Sequence, residues 1–388
     1  MHILESYATS CGLKIDKPLI MEQFFPLPFE KYITIHGFAK FSSRCYDYWE
    51  EVLSLISPVL EANGIKILQV GGKDEPKLRK CICLNGQTSI NQLTYVVRKS
   101  LLHVGVDSFP IHLASGHVKI LGLYPNMYPS NSKPYWSNDS DVRLVEPDRG
   151  GKKPSFAANE SPKEINNIKP ECIAEHIFDL LGIPFNFPLN YEYFGELYNE
   201  TTLELVPNSL ISSYSVNVDG IRIRMDYLFN EEVLVENLKL KNASIVTNRE
   251  INPSIISAFK DKIKQITYII EEDNNPEFIR DAMEKGISCI LTSYLPNDRI
   301  NAHKINYMEY GIIVPQSIAK REDFNFSSKP SLLYKSRKFI LSAGNVYPSK
   351  AALENNSPSN SFEPTLNTVI DSPSFWKEAK YFAFLSHK

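Results

Sequence analysis

Residues 84–116 read LNGQTSINQLTYVVRKSLLHVGVDSFPIHLASG. The segment SINQLTYVVRKS reads as a helix with Ser89 at its N-cap, because a serine hydroxyl there accepts from a free backbone N–H. LLHVGVD is a short buried strand, and PIHLASG opens another helix. Upstream, IKILQVGG and KCICLNG are two more short strands. Before them, YDYWEEVLSLISPVLEANG carries Trp49, Val52, Leu53, Ile56 and Leu60 at helical spacing, and Asn63-Gly64 stops it. KYITIHG (31–37) is rich in β-branched residues and reads as the first strand. Downstream, VKILGLYP is a further strand. Strand and helix alternate, which predicts a parallel sheet covered by helices on both faces. Such sheets take ligands at the carboxyl ends of their strands.

Further along, residues 125–169 are rich in Pro, Ser, Asn and Gly, with one short strand expected at 142–146. A loop of that length is usually functional or disordered. The aromatics of YPNMYPSNSKPYW (124–136), Tyr124, Tyr128, Tyr135 and Trp136, either stack a base or sugar or simply pack. DRGGKKP (148–154) lacks phosphate-loop spacing. KPECIAEHIFDLLG (169–182) is an amphipathic helix that closes a first domain, and IPFNFPLNYEYF reads as a linker. The second half mixes short strands over 203–240, with a hairpin turn expected at Asp219-Gly220. A second strand–helix alternation follows over 243–295, where Asn252-Pro253 and Asn275-Pro276 open helices. LLYKSRKFIL (332–341) reads as a solvated basic stretch. Residues 345–373, rich in Ser, Asn and Pro, suggest a poorly ordered tail. The expected domains are 1–185, 186–340 and a C-terminal extension over 341–388.

With 388 residues the chain is too long for one ordinary core. Apolar residues make up 43% and charged residues 22%, a normal globular balance. A net charge of −3 gives no general attraction to nucleic acid. No apolar run approaches the ~18 residues of a membrane span, and the first residues lack a secretory pattern. Six scattered cysteines show no zinc spacing. A cytoplasmic, metal-independent protein with reduced thiols is the expectation.

In GVDSFPIHLASG (105–116), Asp107, Ser108 and His112 allow three readings: a hydrolase's tools, metal ligands, or a capped turn. No G-x-S-x-G elbow surrounds Ser108, and no second ligand cluster accompanies the histidine. A capped turn at a strand end, holding a ligand or merely stable, remains.

The ordered series YITIHGFAKFSSRCYDYWEEV, IKILQVGGKDEP and the segment 84–116 resembles the donor-binding half of the heptosyltransferases, glycosyltransferase family nine. The match rests on Gly86, Thr88, Ser89, Gln92 and Leu93, then on Asp107, Ser108, Pro110, His112, Leu113 and Ala114. Phe109 stands where the family usually has glycine. The likeness covers residues 1–182. It implies two Rossmann-like α/β domains of GT-B type. It also implies a nucleoside-diphosphate sugar as donor substrate, with no cofactor, and inverting transfer to the hydroxyl of a glycan or other acceptor. By resemblance His36, Glu75, Ser89, Asp107, Ser108, Phe109, Pro110, Ile111 and His112 form the donor site. Glu75 would meet the ribose, and Ser108 with the amides of Phe109 to Ile111 the diphosphate or sugar. His112 would line the cleft beside Ser108 and either hold the turn or reach the phosphate, and Asp107 would brace the turn.

Two departures stand out. The family's leaving-group lysine has no aligned partner, so Arg44 or, second, Lys40 is expected to supply the cation. The family's acceptor domain comes first in sequence, whereas here a second α/β run follows the donor half, as if the order were permuted. In that arrangement Glu250, or Glu271, Glu272 or Asp273, would serve as general base. The alternatives are a non-catalytic nucleotide- or glycan-binding protein that keeps the donor fold, and an isomerase of the UDP-sugar epimerase type.

Overall fold

A computed structural model describes residues 1–388 except 212–217, 273–274, 317–318, 325 and 327–331. The chain divides into two compact units, Met1–Phe187 and Pro188–Lys388.

In the first unit the strands are β1 (Tyr32–His36), β2 (Lys66–Gln69), β3 (Ile82–Cys83), β4 (Leu102–Val106), β5 (Lys119–Leu123) and β6 (Val142–Val145). The helices are α1 (Ile3–Cys11), α2 (Trp49–Ala62), α3 (Ile90–Arg98), α4 (Phe109–Ala114), α5 (Pro129–Ser132) and α6 (Pro170–Leu181). The sheet order is β3-β2-β1-β4-β5-β6, and every pairing is parallel. The chain starts in the middle, winds outward to β3, then returns to the far side of β1. Because each crossover is right-handed, the reversal sends helices to opposite faces. Accordingly α2 packs with α6 and α3 with α4.

The helical spacing read from the sequence holds: Trp49, Val52, Leu53, Ile56 and Leu60 are all buried. Ser89 caps α3, accepting from Gln92 N–H while the Gln92 side chain returns to the Ser89 amide. The loop aromatics pack within the unit. Tyr124 is fully buried, Tyr128 sits edge-on to Phe156, and Trp136 donates to Asp16 O at 3.2 Å. All six cysteines are free thiols.

The second unit contains β7 (Leu189–Phe194), β8 (Thr202–Leu205), β9 (Gly220–Arg224), β10 (Ala243–Thr247), β11 (Ile263–Ile269) and β12 (Cys289–Ser293). It continues with β13 (Ile313–Pro315), β14 (Leu332–Ser336), β15 (Lys338–Ser342), β16 (Asn345–Tyr347), β17 (Asn367–Thr368) and β18 (Phe382–His387). Its helices are α7 (Glu231–Leu240), α8 (Pro253–Phe259), α9 (Glu277–Glu284), α10 (Asn297–Tyr307), α11 (Lys350–Glu354) and α12 (Pro373–Trp376). One sheet runs β13-β12-β11-β10-β9-β8-β15-β16, parallel from β13 to β15. The other, β17-β14-β18-β7, is antiparallel. Residues 243–293 thus form parallel strands, as expected.

Here β8 to β13 follow one another without reversal. Right-handed crossovers in a constant direction place their helices on one face. One apolar cluster confirms it, joining Leu234 (α7), Ile256 (α8), Ile279 (α9) and Ile300 (α10) to Leu203, Ile223, Ile245, Ile266 and Leu291 of the strands. The alternate residues of those strands point to the other face.

Four sequence readings need correction. Residues 189–194 are not linker but β7, which pairs with β18. Both neighbours of β9 are parallel, so Asp219-Gly220 makes no hairpin; residues 213–217 of that reading lie outside the described residues. The region 341–388 is no loose extension. It supplies β16 and β18 to the two sheets and buries Phe375, Trp376, Phe382 and Phe384 in one aromatic cluster. Finally, Lys338 is not solvated: it opens β15 at 1% exposure, because β15 lies inside the larger sheet. Among the described residues no helix is long and apolar enough to cross a membrane.

Candidate functional site

The order of the first sheet reverses between β1 and β4, and at such a point the two following loops diverge and leave a crevice. His36 is the last residue of β1. Ser108 stands two residues beyond β4, where its extended backbone (φ −158°, ψ 173°) turns the chain into α4. His36 Nδ1 lies 2.7 Å from Ser108 Oγ, and His36 Nε2 lies 3.3 Å from Glu75 Oε1. Ser108 Oγ is also 3.1 Å from the Val106 carbonyl. A neutral imidazole has one N–H, and a serine hydroxyl has one O–H. Neutral His36 satisfies the Glu75 contact and one of the two serine contacts. Only the imidazolium, donating from both nitrogens, satisfies all three.

Glu75 is held by the tight turn after β2. Gly72 N–H donates to its Oε1 at 3.0 Å. Burial works to raise the carboxyl, but the bonds from His36 and Gly72 outweigh it and keep the group below its ordinary range. Its Oε2 is buried without a hydrogen-bond partner, as is Asn85 Oδ1. A Cβ on Gly71 would stand 2.1 Å from Glu75 Oε2 and 3.2 Å from Asn85 Oδ1, so a side chain there would displace the Glu75 carboxylate.

The cleft above these groups measures about 500 Å³. Its walls come from the β1–α2 loop (Phe38 to Phe41, with Arg44), the Gly71-Gly72 turn, Thr88 to Ile90 at the start of α3, and Asp107 to Pro110. Of the residues singled out in the sequence, His36, Lys40, Arg44, Glu75, Ser89, Asp107, Ser108, Phe109 and Pro110 are brought together here. Ile111 and His112 are not among the lining residues. The Ile111 side chain is fully buried, and its amide donates to Ser108 O at 3.3 Å, so it is spent inside the turn. Pro110 has no N–H to offer. His112 faces Asp107, with Nε2 3.8 Å from Oδ1.

Asp107 braces the turn. It is 4% exposed and receives Arg44 Nη1 at 3.1 Å on Oδ2, while Ser132 Oγ is 3.4 Å from Oδ1. Arg44 is further fixed by Asn126, whose Oδ1 accepts from Nε at 3.2 Å. Asn126 is nearly buried, and its Nδ2 also reaches Ser43 Oγ and Ala157 O. It ties the β1–α2 loop to two distant segments. Sequence reading missed it, since a lone asparagine in a Pro- and Ser-rich loop carries no periodic signal. Lys40 is exposed, lines the cleft, and meets no carboxylate among the described residues.

Glu250 belongs to the second unit, exposed in the loop after β10. Glu271 accepts from Asn248 at 3.1 Å, Glu272 pairs with Arg299 at 3.5 Å, and Asp273 lies outside the described residues. Among the described residues no group of three or more His, Cys, Asp or Glu side chains is placed to hold a metal ion.

Comparison with known proteins bears out the family resemblance. The family model described as glycosyltransferase family 9 (heptosyltransferase) matches residues 6–160, a stretch that contains the whole cleft. No curated protein sequence matches the chain. Among solved structures it is similar to a glycosyl transferase family 9 protein from Veillonella parvula, at 15% identity and TM-score 0.32, covering 46% of this chain and 50% of that one. It is also similar to the ADP-heptose LPS heptosyltransferase II of E. coli, at 16% identity and TM-score 0.32, with the same coverage of 46% and 50%. A third is the iron-containing dodecameric glycosyltransferase TibC from enterotoxigenic E. coli, at 10% identity and TM-score 0.34, covering 44% of this chain and 50% of that one. The chain therefore spans about half the length of each.

Proposed function

We propose that the first unit binds the nucleoside diphosphate of a sugar donor in the His36–Ser108 cleft. The chain then transfers the sugar to an acceptor hydroxyl with inversion, without a metal, in the cytoplasm. The observation that carries this reading is the meeting of His36, Glu75 and Ser108 at the switch point of a Rossmann-ordered sheet, inside the stretch matched by the family model. Glu75, kept ionised, accepts from ribose hydroxyls. His36 and Ser108 meet the diphosphate by exchanging their bonds to Glu75, Val106 or each other for the phosphate oxygens, and Lys40 adds a positive charge. Asp107 and Arg44 hold the turn. In this reading the second unit is the acceptor half with the domain order permuted. Glu250, beyond the carboxyl end of β10, is the base that takes the acceptor proton.

Calorimetry with a panel of nucleoside diphosphates, followed by assay of diphosphate release from the matching sugar donors, tests it. Binding with slow release in the absence of acceptor is expected. Binding with no release, alone or with acceptors, would mark a non-catalytic binder, and interconversion of the free donor an isomerase. Gly71→Ala is expected to push Glu75 off His36 and Gly72 and to weaken nucleotide binding roughly tenfold, the worth of one charged hydrogen bond, with the circular dichroism spectrum unchanged. His36→Ala should weaken it comparably. Unaltered affinity in both variants would remove the cleft from the donor site.

A further inference from the structure

The parallel sheet of the second unit has a face that α7 to α10 leave uncovered, and that face is polar. Glu204, Arg222, Arg224, Ser244, Thr267 and Lys338 all point there from five strands. A cavity of about 310 Å³ lies over them, closed on one side by α12 and the turn through Tyr381. Among the described residues six cationic side chains line it, against three carboxylates, Glu204, Asp226 and Glu378.

The carboxylates are taken up by the deepest cations. Arg224 pairs with Glu204 at 2.6 Å and Asp226 at 2.7 Å, and Lys338 lies between Glu204 and Glu378. The excess charge falls on Lys377, Lys380, Lys350 and Arg222, all half-buried. Lys377 rests over the Tyr294 ring at 4.5 Å, and Lys380 Nζ donates to Gln316 Oε1 at 3.1 Å. Lys350 lies over Tyr227 at 4.6 Å, with Glu354 no nearer than 3.9 Å. Arg222 donates to the Tyr381 hydroxyl at 3.1 Å and pairs with Glu200 at 3.8 Å.

Lys377 and Lys380 have neutral neighbours, and Lys350 and Arg222 meet carboxylates only at 3.9 and 3.8 Å, so the group is incompletely neutralised and attracts an anion. Four of them converge from different elements, so a phosphate could be met by several donors at once. Cations already rest over the rings of Tyr227, Tyr294 and Tyr381, but Ser244, Gln265 and Thr267 line the same cavity and offer hydroxyl and amide groups to sugar hydroxyls. The volume, near the lower end of small-molecule sites at about 300 Å³, suits a single sugar ring. We propose that this cavity is a second binding site, specific to the second unit, for a phosphorylated monosaccharide. The phosphate lies among Lys377, Lys380, Lys350 and Arg222, and the sugar hydroxyls meet Ser244, Gln265 and Thr267 on the sheet face. The site stands apart from the donor reading of the first unit and does not depend on it.

Titration calorimetry on the full chain with glucose 6-phosphate, inorganic phosphate, glucuronate and glucose tests the proposal. Glucose 6-phosphate is expected to bind most tightly and glucose not at all. The double variant Lys377→Gln/Lys380→Gln should weaken glucose 6-phosphate at least tenfold while melting at the wild-type temperature. Gly71→Ala, in the other unit, should leave that affinity unchanged. The proposal is overturned if glucose 6-phosphate does not bind, if inorganic phosphate or glucuronate binds as tightly, or if the double variant binds it as the wild type does. Failure of the nucleotide titrations would not touch these outcomes.

Discussion

Replacing Lys338 by methionine is expected to destabilise the second unit by about 3–5 kcal/mol, the usual cost of removing one partner from a buried charge cluster. Lys338 is 1% exposed, and its ammonium is the shared counter-ion of Glu204 and Glu378, themselves 2% and 6% exposed. Burial alone would lower the lysine's pKa, but the two carboxylates overcome it and hold the ammonium charged. Methionine keeps the volume and removes the charge, which leaves two carboxylates facing each other out of water. Glu204 retains Arg224, and Glu378 retains the Lys350 amide at 2.7 Å, so the unit should still fold. Urea denaturation of the full chain, followed through the transition of the second unit, measures the loss. Adding Glu378→Gln to Lys338→Met should recover part of it, because one of the stranded charges is gone. A loss under 1 kcal/mol, or no recovery, would show that the cluster contributes little.

The same cluster sets an acid response. Burial pushes the Glu204 carboxyl up, but Arg224, Lys338 and Arg222 pull it down further, to about 2 from an ordinary 4.5. A carboxyl whose folded pKa is depressed stabilises the fold above the unfolded value and loses that contribution as pH falls. The second unit should therefore weaken as pH drops from about 4.5 toward 2, and Glu204→Gln should flatten that part of the profile. Denaturation midpoints across this range check the sign.

Local pattern and long-range pairing account for what the sequence did and did not disclose. The first unit was legible because each element is short and periodic and, except at the step from β3 to β4, each strand is followed by its neighbour in the sheet. Trp49 to Leu60 announce α2, Ser89 announces the start of α3, and β-branched runs mark β1, β4 and β5. Placing His36 and Ser108 at strand ends put both on the ligand edge of the sheet. That His36 touches both Ser108 and Glu75 is a tertiary fact, since the two are 72 and 39 residues from it in sequence. The second unit hid more. Leu333 pairs with Leu385 and Tyr191 with Leu385 across long stretches of chain, and no local period records such pairings. The Ser-, Asn- and Pro-rich composition of 345–373 masked a segment anchored by Phe375 and Trp376 just beyond it. Lys338 was misread because a lysine among serines and arginines looks solvated. Its burial depends on Glu204 and Glu378, 134 and 40 residues away.

Removal of the Lys40 side chain, as Lys40→Ala, is expected to lower donor turnover roughly 30- to 1000-fold, from about 2–4 kcal/mol of lost stabilisation of developing charge. A departing nucleoside diphosphate gains negative charge as the glycosidic bond breaks, so a cation nearby speeds that step. By residue type Arg44 is the better phosphate ligand. The structure gives it other work: Nη1 is on Asp107 at 3.1 Å, Nε is on Asn126 at 3.2 Å, and its charge is offset by a nearly buried carboxylate. Moving it to the phosphates would strand Asp107, which no other cation approaches within 3.5 Å among the described residues. Lys40 has no such debt. It is exposed, lines the same cleft and sits on the loop that follows His36. Because its charge acts on the transition state more than on bound donor, Lys40→Ala should lower kcat and leave nucleotide affinity within a few fold. Arg44→Ala should behave differently, lowering stability and nucleotide affinity together as the Asp107 turn loosens. Steady-state rates of diphosphate release, with calorimetry and melting curves on both variants, separate the two roles. Wild-type turnover in Lys40→Ala would move the leaving-group charge to another residue. A kcat loss confined to Arg44→Ala, with its stability intact, would assign that charge to the arginine.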